Sequence, residues 1–157
     1  MQGRAAGSPA RRDVNANDHE GDCAMREGIT PPTMAHYRSY RFSPAVRAGG
    51  MLHLSGQLGL VSLSPPELAE GAAAQIAAAF DLQARVLAEA GRDWDAVAEL
   101  TSFHVAGPEG GLPAQMPLMM AALERRFAEP YPAWTAVEVK ALALPGALVE
   151  LRMTAVA

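Results

Sequence analysis

Three sets of polar residues in this chain stand where they could do chemistry. His53, Ser55 and Gln57 alternate along Met51–Gln57, so an extended chain carries them on one face. Ser102 and His104 share a second such face with Leu100. Glu138, Lys140, Glu150 and Arg152 bracket the turn residues Pro145-Gly146. A histidine beside a carboxylate can serve as a general base near neutral pH. No His-x-His, Cys-x-x-Cys or His-Glu-x-x-His spacing occurs, so a metal site has no support and both histidines read as satisfied structural groups. No glycine-rich phosphate cradle is present either, and no cofactor is expected. If Pro145 centres a hairpin, Lys140 faces Glu150 and Glu138 faces Arg152, which makes two ordinary cross-strand ion pairs.

The elements that must position these residues follow from hydrophobic period. Tyr40–Val46 reads as a short strand, Arg47-Ala48-Gly49-Gly50 as a turn, and Met51–Gln57 as a second strand. Ser64-Pro65-Pro66-Glu67 has the layout of a helix start, and the helix runs to Ala90 and stops at Gly91. Its stripe of Ala73, Ile76, Phe80, Ala84 and Leu87 marks a buried face. Val97–Val105 is a third strand. Pro113–Ala128 is a second helix with a core stripe of Met116, Met119, Met120, Leu123 and Phe127. Thr135–Leu142 and Leu148–Val156 close the chain as a hairpin. The expected order is β-β-α-β-α-β-β, an α+β layout with two helices on one face of a mostly antiparallel sheet. Two helices leave the other face bare, yet both faces carry apolar residues, with Met51 opposite Leu52 and Leu54, and Phe103 and Val105 opposite Leu100. A second copy of the chain is the economical cover, and a cleft between copies is the candidate site.

Composition narrows the function classes. The chain has 157 residues, half of them hydrophobic, and a formal charge of −4, which leaves no basic surface for nucleic acid. Its one cysteine, Cys23, excludes an internal disulfide framework and points to a reducing compartment. No apolar run is long enough to span a membrane and the first thirty residues hold no secretory core segment, so a cytoplasmic protein is expected. Residues 1–34 have little to bury and are expected to be a disordered tail, with His19 and Cys23 as solvated bystanders; residues 35–157 are the domain.

Five segments, in order, resemble the Rid proteins, also called YjgF or reactive-intermediate deaminases. They are Phe42-Ser43-Pro44-Ala45-Val46, Gly49–Gln57, Leu87–Gly91, Pro132-Ala133-Trp134-Thr135-Ala136-Val137-Glu138-Val139 and Pro145–Leu151. The resemblance implies a chorismate-mutase-like fold and a homotrimer with ligand clefts between subunits. It also implies hydrolysis of a reactive enamine or imine to a carbonyl compound and ammonia, with Glu150 orienting or activating the water. Trp134 stands where the family carries the arginine that grips a substrate carboxylate, Phe42 where a tyrosine is common, and Ala136 where a cysteine is common. Arginine offers a planar fork of donors, whereas indole offers one N–H and an apolar face. The substrate implied is therefore not 2-iminopropanoate but something larger or less acidic, held by Trp134, Phe42, Ser55 and Gln57. The alternative is a trimeric small-molecule-binding or regulatory protein that has lost catalysis. A ribonuclease, an older label in the family, fits the acidic balance least.

Overall fold

Gly49 and Gly50, with φ of +57° and +76°, form a two-residue turn that only residues tolerant of positive φ accept. It joins β2 (Ala45–Ala48) to β3 (Met51–Leu58) as an antiparallel hairpin in which Ala48 faces Met51. The computed structural model describes residues 26–157. In it β1 (Glu27–Ile29) pairs with β2, and a 3-10 helix over Pro32–Tyr40 buries Met34 and Tyr37 before Arg41 ends it in the left-handed conformation. Residues 27–34 therefore belong to the domain, against the expectation of a structureless tail up to 34. Their few apolar side chains, Ile29 and Met34, are both buried, and that is enough to tie the segment down. The rest of the expected tail, with His19 and Cys23, lies outside the described residues.

After β3 come β4 (Leu60–Leu63) and β5 (Pro66–Leu68), a small hairpin, and then α1 (Gly71–Glu89). The expected helix start at Ser64 is thus a turn between strands. Proline disfavours helical backbone in the residue before it, so Ser64 and Pro65 are both pushed toward extended geometry. α1 begins instead at Gly71, and the N–H of Ala72 points at the carboxylate of Glu109, 3.4 Å away on a distant loop. It ends as expected: Gly91 takes φ of +71° and the N–H of Arg92 bonds to the carbonyl of Leu87.

β6 (Val97–His104), α2 (Leu112–Glu124), β7 (Ala133–Glu138) and β8 (Val149–Val156) complete the chain. The main sheet has the order β1-β2-β3-β8-β6-β7, and every pairing is antiparallel except β6 with β7. The α+β expectation holds, with its two helices and mostly antiparallel sheet, but the final hairpin does not form. β8 inserts between β3 and β6, while β7 joins the far edge beside β6 through the α2 crossover. The reason is burial. Val149, Leu151, Met153 and Ala155 are all buried, and such a strand is best satisfied at the centre of the sheet. The Lys140–Glu150 and Glu138–Arg152 pairs accordingly do not exist: Glu150 is flanked by Leu58 and Phe103, Arg152 by Thr101.

The core lies between α1 and the sheet. Ile76, Phe80, Val86 and Leu87 meet Leu52, Leu54, Leu100, Leu151 and Met153 there. Ala72 and Ala79, rather than Ala73 and Ala84, are the small residues buried on the helix face. In α2 only Met119 of the expected methionine stripe is fully buried; Met120 is 55% exposed. On the other face of the sheet Phe103, Val137 and Val156 alternate with Glu150, Arg152 and Thr154, and both Val137 and Val156 are exposed.

Candidate active site

Alternation along β8 sends Val149 and Leu151 into the core and carries Glu150 to the open face. What lies beside it is decided by a bulge in β3. Leu54 pairs with Met153 and Gln57 with Leu151, so three steps along β3 match two along β8. The extra residue flips the alternation. His53 stays exposed on the open face, while Gln57, expected on the same face, turns into the core and is 1% exposed. Its Oε1 accepts a hydrogen bond from the Tyr37 hydroxyl at 3.1 Å. Ser55 donates its hydroxyl to the carbonyl of Ser43 at 2.7 Å and its N–H to that of Pro44 at 2.8 Å, so its protons are held by backbone.

Gly56 is the residue of the bulge that meets Glu150. A Cβ at this position would overlap the Glu150 carboxylate, so only glycine lets strand and carboxyl approach this closely. From the core side, Gln83 of α1 clamps the bulge. Its side-chain amide donates to the carbonyls of Ser55 at 3.0 Å and Leu151 at 2.5 Å, across the two strands where the ladder is interrupted. Glu150 itself has no ion-pair partner among the described residues, and burial pushes its carboxyl above the ordinary glutamate range. Phe42 packs on Tyr37 with ring centroids 5.1 Å apart, at the same end of β3. Four of the five expected site residues are thus gathered around one bulge.

Trp134 is elsewhere. It is in register with Leu100, on the helix-covered face of β7, and its indole N–H donates to Ser102 Oγ at 2.9 Å. Ser102 and His104 Nε2 lie 2.9 Å apart, and His104 Nδ1 is 2.8 Å from Gln115 Oε1. The amide of Gln115 donates to the carbonyl of Val105 at 2.9 Å, which leaves its oxygen to accept from Nδ1–H. Nε2 is then the acceptor for the Ser102 hydroxyl. Every donor in this chain, from Trp134 through Ser102 and His104 to Gln115, has one acceptor. Burial holds His104 below the ordinary histidine range, against the smaller opposing pull of Gln115 and Glu138, so a neutral ring matches the network. His104 is thus the satisfied structural histidine expected; His53, exposed on the open face, is not.

The outer side of the indole lines a groove of about 770 Å³ between α2 and the chain entering β7, with Pro117, Met120, Phe127, Tyr131 and Glu124 among its walls. Trp134 and Glu150 therefore lie on opposite faces of one sheet, and the structure does not bring them together within a chain. Tyr37, Gln83 and Gln115 were missed as site residues. Gln83 and Gln115 read in the sequence only as polar interruptions of apolar helix stripes. Among the described residues no group of three His, Cys, Asp or Glu side chains could hold a metal ion, and no helix is long and apolar enough to cross a membrane.

Comparison with known proteins follows the same outline. Residues 33–157 match the family model described as Endoribonuclease L-PSP. Over 108 residues the chain is 39% identical to the RutC family protein YjgH of Escherichia coli, covering 68% of this chain and 77% of that one. The solved structure of protein YjgH superposes with a TM-score of 0.71 at 33% identity, over 83% of this chain and 95% of the other. RidA from an Antarctic Psychrobacter superposes with a TM-score of 0.64 at 28% identity, over 74% and 88%.

Proposed function

Because this chain belongs to the YjgF/L-PSP (Rid) family, we propose that it hydrolyses an apolar imine, or the enamine tautomer of one, to a carbonyl compound and ammonia. The observation that carries this reading is the Glu150 carboxylate: half-buried, free of ion pairs among the described residues, raised by burial, and seated against a glycine. A carboxylate with no structural partner and a raised pKa is suited to take a proton from water near neutral pH. Glu150 removes that proton as the water oxygen bonds to the imine carbon. Glu150 returns that proton to the nitrogen, which gives a neutral carbinolamine; the hydroxyl proton then passes to the nitrogen by way of Glu150, the C–N bond breaks, and ammonia leaves as the C=O bond forms. The balance is one imine and one water to one carbonyl compound and one ammonia.

The opposite placement of Trp134 and Glu150 supports a site shared between copies, with Glu150 of one chain meeting the Trp134 edge of another in a homotrimer. The exposed Val137 and Val156 on the open sheet face are consistent with such packing. No Lys or Arg lines the Trp134 groove, so a nuclease reading of it gains nothing from the family model's description. One experiment tests both the chemistry and the sharing. Ammonia release is measured from imines generated by an amine oxidase acting on a panel of carboxylate-free amines, phenethylamine among them, for wild type, Glu150→Gln, Trp134→Ala and a refolded mixture of the two variants. Loss in each variant with partial recovery in the mixture is expected. Wild-type release no faster than buffer across the panel would sink the hydrolase reading and leave a binding protein that keeps the groove without the chemistry.

A further inference from the structure

The walls of the groove specify a ligand. Met120 and Tyr131 are 55% and 66% exposed, and Phe127, Pro117 and Trp134 extend the apolar surface. Glu124 is the one charged side chain among the lining residues. A tryptophan would ordinarily add a hydrogen-bond donor to such a wall, but this one has already spent its N–H on Ser102, whose own proton goes to a buried, neutral His104. The lining therefore presents aromatic faces and a negative charge, with the Tyr131 hydroxyl as its only side-chain donor. A carboxylate entering this groove would lose its hydration, gain at most that hydroxyl, and face Glu124. An amine or iminium would gain the ring faces and the glutamate.

We propose that the groove between α2 and β7 binds an aromatic-sized apolar amine or iminium and discriminates against carboxylates, with Glu124 setting the charge preference. Ser102 acts as a positioning residue, keeping the indole edge turned inward so that only its apolar side faces the ligand. This rests on the proposed reading in one respect, that the Trp134 groove is where the substrate lies. It inverts the preference that an arginine at position 134 would impose.

The test uses phenethylamine, 2-phenylethanol and 3-phenylpropionate, which share a ring and differ in charge. Their binding to the full-length protein is followed at low salt and neutral pH by calorimetry or by shifts of backbone amide signals. The amine is expected to bind about threefold or more tighter than the acid, with the alcohol between them. Glu124→Gln, on an exposed helix position, should bring amine and alcohol to equal affinity. Trp134→Phe keeps the ring but has no N–H, and is expected to retain amine binding within about twofold. Equal or tighter binding of the acid, binding of none of the three, or collapse of amine binding in Trp134→Phe would each overturn the proposal. Repeating the titration on Glu150→Gln separates it from the hydrolase reading: retained amine preference in a protein that releases no ammonia leaves the groove assignment standing alone.

Discussion

The bulge at Gly56 and the chain of hydrogen bonds behind Trp134 are both polar constructions in one sheet, and they are built on opposite rules. Behind Trp134 each donor meets an acceptor, and the products of that order are a neutral His104 and an indole with one available face. At the bulge Gln83 gives its amide to the interrupted backbone while its own buried Oε1 has no partner, and the carboxylate above it is left raised and without an ion pair. A fully satisfied network fixes a shape, and a group denied its partner stores reactivity. On the proposed reading the first region is a wall and the second a reagent.

Breaking the reagent should have the largest effect. Glu150→Gln is expected to lower ammonia release by about 10²-fold or more, since it removes the proposed general base. It should not lower stability. A carboxyl raised in the fold contributes stability below its ordinary value near 4.5, and that contribution is lost as pH rises through the raised value. The Gln variant should therefore match or exceed wild type in thermal unfolding at neutral pH and lose that advantage below about pH 4.5. An unfolding midpoint well below wild type at neutral pH would show that Glu150 is structural. Gly56→Ala keeps the carboxylate and displaces it, so turnover should fall about tenfold, with the loss in kcat rather than KM.

Disturbing the wall should act on stability first. Ser102→Ala leaves the indole N–H and His104 Nε2 without each other's bridge, at a cost of about 1–3 kcal/mol by denaturant titration. Gln83→Leu removes a donor from the carbonyls of Leu151 and Ser55, the second of which keeps a long 3.5 Å bond from Gln57, and belongs to the lower part of the same range; it should also loosen the bulge and bring the Glu150 carboxyl closer to its ordinary value, read by carboxyl carbon shifts. If Ser102→Ala moved the Glu150 titration equally, the two regions would not be independent. The smallest effect is that of pH on the wall. His104 is held below the ordinary value of 6.5, so its neutral form contributes stability above that pH, and the contribution declines as pH falls through 6.5 toward the lowered value. Unfolding free energy should drop over this window in wild type and drop less in His104→Gln.

Much of this architecture was legible because it is written in short range. Gly49-Gly50 specifies its hairpin, Gly91 its helix end, and the three-to-four spacing of Ile76, Phe80 and Leu87 the buried face of α1, all through backbone sterics and burial over a few residues. The exceptions depend on partners far along the chain. β8 could be assigned to the centre of the sheet only by the burial that β3 and β6 together provide, and with that choice the ion pairs expected of Glu138 and Glu150 vanished. Glu109 reaches α1 from a distant loop, and Gln83 meets Ser55 and Leu151 only once helix and sheet are packed. Local order determined which residues could do chemistry. Packing decided which were silenced by partners and which, like Glu150, were left without one, because a hydrogen bond between residues dozens of positions apart exists only after the fold has brought them within three ångströms.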